Sequence, residues 1–101
     1  MTQKRHGDRE DFQTKLRVYW QDSNGQDNYA VAQSVDISEK GLSIMIPNHI
    51  EARTIVQVKA DDHPELCGSA SVRFCVRKGM NHNVGLEFSG GAKLKIKKLA
   101  E

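Results

Sequence analysis

Cysteine, proline and aromatic residues are scarce in this 101-residue chain: two Cys, two Pro, three Phe, two Tyr and one Trp. Two cysteines are too few for a disulfide framework. Cys67 and Cys75 fall eight residues apart in what reads as one strand, and an extended chain of that length spans on the order of 25 Å, beyond disulfide reach. Two reduced, buried thiols are expected. There is no C-x-x-C pair, and His6, His49, His63 and His82 are too scattered for a structural zinc site, so no metal is expected. No apolar run approaches the ~20 residues of a membrane-spanning helix. The opening Met1-Thr2-Gln3-Lys4-Arg5 lacks the apolar core of a signal peptide, which makes the cytoplasm the expected location. Charge of neither sign dominates, with 15 Lys and Arg against 13 Asp and Glu for a net +2, so nothing demands a polyanionic partner. No nucleophile has a recognisable paired base, and binding rather than catalysis is expected.

What remains is a soluble composition, 38% hydrophobic and 28% charged, in a chain long enough for one domain with a modest core of its own. Strong helical periodicity is missing before residue 90, while alternation of period two recurs. Residues 16–20, Leu-Arg-Val-Tyr-Trp, read as a first strand stopped by the hairpin turn Asp22-Ser23-Asn24-Gly25. Residues 28–37 form a second, with Tyr29, Val31, Val35 and Ile37 on one face and Ala30, Ala32, Ser34 and Asp36 on the other. A third, residues 42–46, sets Leu42, Ile44 and Ile46 on one side and ends at Pro47. Residues 54–60 supply a fourth, with Ile55 and Val58 as expected anchors. Residues 67–77 supply a fifth, expected to turn Val72, Phe74 and Val76 inward and Arg73 and Arg77 outward. Residues 82–88 close the series with Val84, Leu86 and Phe88 on one face. Six short strands punctuated by Gly, Pro, Asn and Asp predict an all-β fold, a small six-stranded antiparallel β-barrel.

Around that barrel, residues 13–90, lie two polar ends. Residues 1–12 carry no apolar period and read as a flexible arm, while residues 91–101 read as a short basic C-terminal helix or tail.

Two stretches carry candidate chemistry. Asp36-Ile37-Ser38-Glu39-Lys40-Gly41 occupies the turn between the second and third strands. Asp36 and Ser38, two apart, leave the same face of a strand and offer a carboxylate beside a hydroxyl. Gly41 permits positive φ or close approach of a ligand. Asp36 suits a ligand with adjacent N–H donors, such as a guanine edge. The bland reading is an ordinary turn, since Asp, Ser and Gly are common turn formers. The second stretch is Arg5-His6-Gly7-Asp8-Arg9, whose two guanidinium forks suit phosphate oxygens and the O6/N7 edge of guanine. A solvated charge pair is its bland counterpart, and Arg73 and Arg77 repeat the spacing.

Together these pieces resemble the PilZ family of cyclic di-GMP receptors: an N-terminal R-x-x-x-R, a first strand, then D-x-S-x-x-G between later strands. Val84-Gly85-Leu86-Glu87-Phe88 also resembles the strand with which PilZ barrels finish. The resemblance implies a six-stranded barrel with an accompanying helix. It implies that Arg5 and Arg9 contact guanine and phosphate of cyclic di-GMP, that Asp36 and Ser38 contact a guanine from the barrel side, and that Gly41 holds the turn open. Lys4 stands where many members carry another arginine, and a point charge neither stacks nor forks as a guanidinium does. Asp8, Glu10 and Asp11 offset Lys4, Arg5 and Arg9, so long-range steering of an anion is weak. The expected output is a ligand-dependent change of the arm and surface, presented to a downstream protein. A nucleotide-independent PilZ-type adaptor is the alternative. Single-stranded nucleic acid is a poorer fit, because the few aromatics are needed for the core.

Overall fold

A computed structural model of the chain describes residues 10–38 and 41–89; the segment read as a C-terminal helix or tail lies outside them. The strands are β1 (Glu10–Asp11), β2 (Lys15–Gln21), β3 (Asp27–Ile37), β4 (Gly41–Ile46), β5 (Ile55–Lys59), β6 (Gly68–Lys78) and β7 (Asn81–Phe88). A single 3-10 turn, Pro64–Leu66, precedes β6. Antiparallel pairing runs β2, β3, β4, β7, β6, β5 and back to β2, so six strands close into the expected barrel. Among the described residues the two-residue β1 pairs only with β3, beside the barrel proper.

Period-two alternation builds the core. Leu16, Val18 and Trp20 of β2 point inward, as do Leu42, Ile44 and Ile46 of β4 and Val84, Leu86 and Phe88 of β7. In β5 the inward pair is Val56 and Val58, and Ile55 is 60% exposed. Ile55 and Val58 are three apart, so a strand sends them to opposite faces and the expected pairing of these two as anchors fails. Two connections add plugs that alternation does not reveal: Ile50 and Leu66 are fully buried.

Two β-bulges shift the parity. In β3, Ser34 pairs with Ile44 and Asp36 with Ser43, leaving Val35 as the extra residue. Ala30, Ala32 and Ser34 are buried before the bulge, and Ile37 is buried after it. The face that groups Asp36 with the two alanines therefore holds only as far as Ser34. In β6 the shift lies between Val72 and Phe74. Val72 is buried, but Phe74 and Val76 are 37% and 49% exposed, contrary to the expectation that both point inward. Cys75 instead packs against the core. Phe74 lies over Gly85, where an added Cβ would stand 2.2 Å from its ring. Cys67 and Cys75 are free thiols, half-buried rather than buried, and Cys67 precedes β6 instead of lying within it.

Candidate functional site

Two backbone hydrogen bonds close the β3–β4 turn. Ser38 N–H donates to the Gly41 carbonyl at 2.9 Å, and Gly41 N–H returns a bond to the Ser38 carbonyl at 3.2 Å. Ile37, between the two polar residues, sits in the core. Alternation about Ile37 turns Asp36 away from the core, while Ser38 follows the end of the strand. Without the bulge at Val35 the same strand would have sent Ile37 outward and the carboxylate in. Asp36 is half-buried and Ser38 is buried at 7% exposure, so the carboxylate and the hydroxyl are both partly desolvated. A carboxylate beside a hydroxyl can recognise a ligand bearing N–H donors.

Gly41 is not among the positive-φ residues. Of the two reasons for a glycine here, close approach is the one that applies, and the neighbour is the protein's own backbone. A Cβ on Gly41 would stand 1.8 Å from the Leu86 carbonyl oxygen of β7, a separation no real Cβ tolerates.

The turn is flanked by the chain's first described residues. Asp11 stands opposite Asp36 in register and Glu10 opposite Ile37. Phe12 N–H donates to the Val35 carbonyl at 3.2 Å, and Ser34 N–H to the Thr14 carbonyl at 2.9 Å. Between these bonds the ladder breaks at the bulge, and the buried Ser34 hydroxyl fills the gap. It accepts from Thr14 N–H at 2.7 Å and donates to the Phe12 carbonyl at 2.6 Å. One side chain thereby satisfies two backbone groups that would otherwise be orphaned. Phe12 packs partly on the core, with its ring edge-on to His63 at 5.0 Å. The end of the segment read as an arm is thus held against β3.

Lys4, Arg5 and Arg9 lie outside the described residues. The repeat pair is in β6 and already engaged: Arg73 forms an ion pair with Glu87, and Arg77 Nε donates to the Gly79 carbonyl at 3.1 Å. Sequence reasoning missed Ser34, whose signal was faint: a lone hydroxyl on the same face as Ala30 and Ala32. Among the described residues, no three His, Cys, Asp or Glu side chains are grouped to hold a metal. Nor is any described helix long and apolar enough to cross a membrane.

No curated protein matches the chain. The PilZ domain family matches residues 3–101, which include both the arginine pair and the aspartate turn. With that match and the closed six-stranded barrel, this chain belongs to the PilZ domain family.

Proposed function

We propose that this PilZ domain is a cyclic di-GMP receptor whose nucleotide-bound surface is read by a protein partner. The observation that carries the reading is the register of β1. Glu10 pairs with Ile37, and Arg9 is one peptide unit from Glu10, so covalent geometry keeps it about 3.8 Å along the chain from a residue paired beside Asp36 and Ser38. The reading joins two motifs 27 residues apart, Arg9 to Asp36, in one binding surface.

The ligand's chemistry matches the groups offered. Cyclic di-GMP brings two phosphates and two guanine edges. Arg5 and Arg9 supply guanidinium forks for guanine O6/N7 or phosphate, each bidentate contact discriminating by roughly 1–3 kcal/mol. Lys4 adds a point charge. The Asp36 carboxylate accepts from guanine N–H groups, the Ser38 hydroxyl accepts or donates, and Gly41 keeps the hairpin close to β7. PilZ domains are binding and adaptor domains, and binding is the activity proposed. Clamping the dinucleotide between residues 4–9 and the turn changes the outer surface there, which converts occupancy into a signal.

Calorimetry with cyclic di-GMP, GTP and a short single-stranded oligonucleotide tests the reading. Heat with cyclic di-GMP alone is the expected result. Absence of heat with all three overturns the receptor reading in favour of the nucleotide-independent adaptor.

A further inference from the structure

We propose that the outer edge of β6, residues 73–78, is a docking site for an extended acidic segment of a protein partner. This builds on the reading that the domain works through a protein, and it does not depend on the dinucleotide. The first half of β6 is paired on both sides. Ser71 faces Ile55 of β5, and Val72 accepts from Arg53 N–H at 2.7 Å and donates to the Thr54 carbonyl at 2.9 Å. Past the bulge, β7 is the only strand pairing with β6 among the described residues, as far as Lys78 opposite Asn81. Among the described residues, one edge of residues 74–78 therefore presents backbone groups outside any ladder, a template for strand addition.

Side chains select the occupant. Arg73, Phe74, Val76, Arg77 and Lys78 are all exposed. From residue 66 to residue 86 the chain carries these three cations and no Asp or Glu; Arg73 is paired with Glu87, so the charge an incoming strand meets is that of Arg77 and Lys78. Pairing this edge with the same edge of a second copy would bring cations against cations, which is destabilising. An acidic strand meets no such penalty. Alternation refines the fit. Phe74 and Val76 share one face and Arg77 lies on the other, so apolar residues of the incoming strand would cover the first pair while its carboxylates face Arg77. The edge runs away from the aspartate turn. Gly41 stands opposite Glu87, Phe74 stands opposite Gly85, two residues along β7, and Lys78 stands opposite Asn81, six residues or about 20 Å along β7 from Glu87.

Two blocked hexapeptides, alternating Glu-Val and alternating Lys-Val, serve as probes in amide spectra of the isotopically labelled full chain. The Glu-Val peptide is expected to shift the amides of residues 73–78 and slow their hydrogen exchange. The effect should weaken several-fold on going to about 1 M salt, where the screening length falls to about 3 Å. The Lys-Val peptide should leave them unmoved. Arg77→Glu with Lys78→Glu should reverse the preference while leaving the remaining spectrum in place. No shift with either peptide, equal shifts with both, or equal shifts with oligothymidylate overturns the proposal, the last by reducing it to loose cation binding. Titration with cyclic di-GMP in the same spectra reads residues 36–41 separately, so failure of binding at one site is distinguishable from failure at the other.

Discussion

Two hairpins of this barrel begin with aspartate and use it differently. At the β2–β3 turn, Asp22 Oδ1 accepts from the N–H groups of Asn24 and Gln26, both at 2.9 Å, and Oδ2 accepts from Asn28 Nδ2 at 3.1 Å. Gly25 completes that turn at φ +79°. At the β3–β4 turn, the closing bonds run between the backbones of Ser38 and Gly41 and require neither the Asp36 carboxylate nor the Ser38 hydroxyl. Asp, Ser and Gly occur in both. In the first turn the Asp22 carboxylate adds three bonds to a backbone pair, Asp22 N–H to the Gln26 carbonyl and Gly25 N–H to the Asp22 carbonyl, both at 2.9 Å; in the second, the Ser38–Gly41 backbone pair closes the hairpin. Similar composition hides different closures, and only the hydrogen-bond geometry separates them.

The two glycines give the largest expected contrast. Gly41→Ala forces a Cβ to within 1.8 Å of the Leu86 carbonyl oxygen, and backbone cannot yield without parting β4 from β7. A loss of roughly 4 kcal/mol or more is expected, a large share of a domain's typical ~5–15 kcal/mol, so little folded protein should be recovered. Gly25→Ala meets nothing within 4 Å and carries only the left-handed backbone cost of about 1–2 kcal/mol. Urea midpoints compare the two, and equal losses would remove the close-approach account of Gly41.

Binding should separate the aspartates next. Asp36→Ala, like Arg9→Ala, is expected to cost ~2–5 kcal/mol of cyclic di-GMP affinity with the fold retained. Asp22→Ala should lower stability and leave affinity unchanged. Arg73→Ala with Arg77→Ala should weaken binding much less than loss of Arg9, because those side chains are engaged with Glu87 and the Gly79 carbonyl. Calorimetry on all four variants decides. Undiminished affinity in Asp36→Ala would return the second turn to the same purely structural standing as the first.

Ser34→Ala probes what joins the arginine-bearing segment to the recognition turn. It leaves the buried Thr14 N–H and the Phe12 carbonyl without their shared partner, at a cost of about 1–3 kcal/mol. Because the same hydroxyl holds residues 12–14 against β3, hydrogen exchange at residues 10–14 should accelerate more than exchange in β7. Uniform acceleration across the barrel would mean that Ser34 serves general stability alone.

The fold was legible wherever side chains alternate without interruption. β2, β4 and β7 bury the residues that period two selects, and the sum of six such runs indicates a barrel. The two bulges were not legible, because Val35 and Arg73 are ordinary strand residues and one extra residue leaves no compositional mark. Yet each bulge flips everything after it: Ile37 goes in, and Phe74 and Val76 come out. Ile50 and Leu66 were hidden for a different reason, since plugs supplied by connections obey no strand period. At the site, Asp36, Ser38 and Gly41 could be read because they are neighbours in the chain. Their nearness to the start of the chain is a matter of register between β1 and β3, held by backbone bonds and bridged at the bulge by the Ser34 hydroxyl, and sequence spacing carries no information about it.

The smallest expected effect is the dependence of the first hairpin on acid. The Gln26 N–H, then the Asn28 side-chain amide and the Asn24 N–H, hold the Asp22 carboxyl below its ordinary range. A folded-state value below the unfolded one means that the folded protein binds this proton less readily than the unfolded chain does. The stabilisation is therefore complete above the ordinary carboxylate range, about pH 4, and is lost as pH falls from there through the folded value. Asp22→Asn removes the titration while keeping the side chain's shape. At neutral pH it should be less stable than the parent, and the gap should narrow as pH drops below about 4. Because the carboxylate is at the surface, screening keeps the whole effect small. Urea midpoints of the two proteins across this pH range supply the measurement. A gap that stays constant with pH would show that the β2–β3 turn depends on the side chain's shape and not on its charge, and the contrast between the two aspartates would then rest on hydrogen-bond geometry alone.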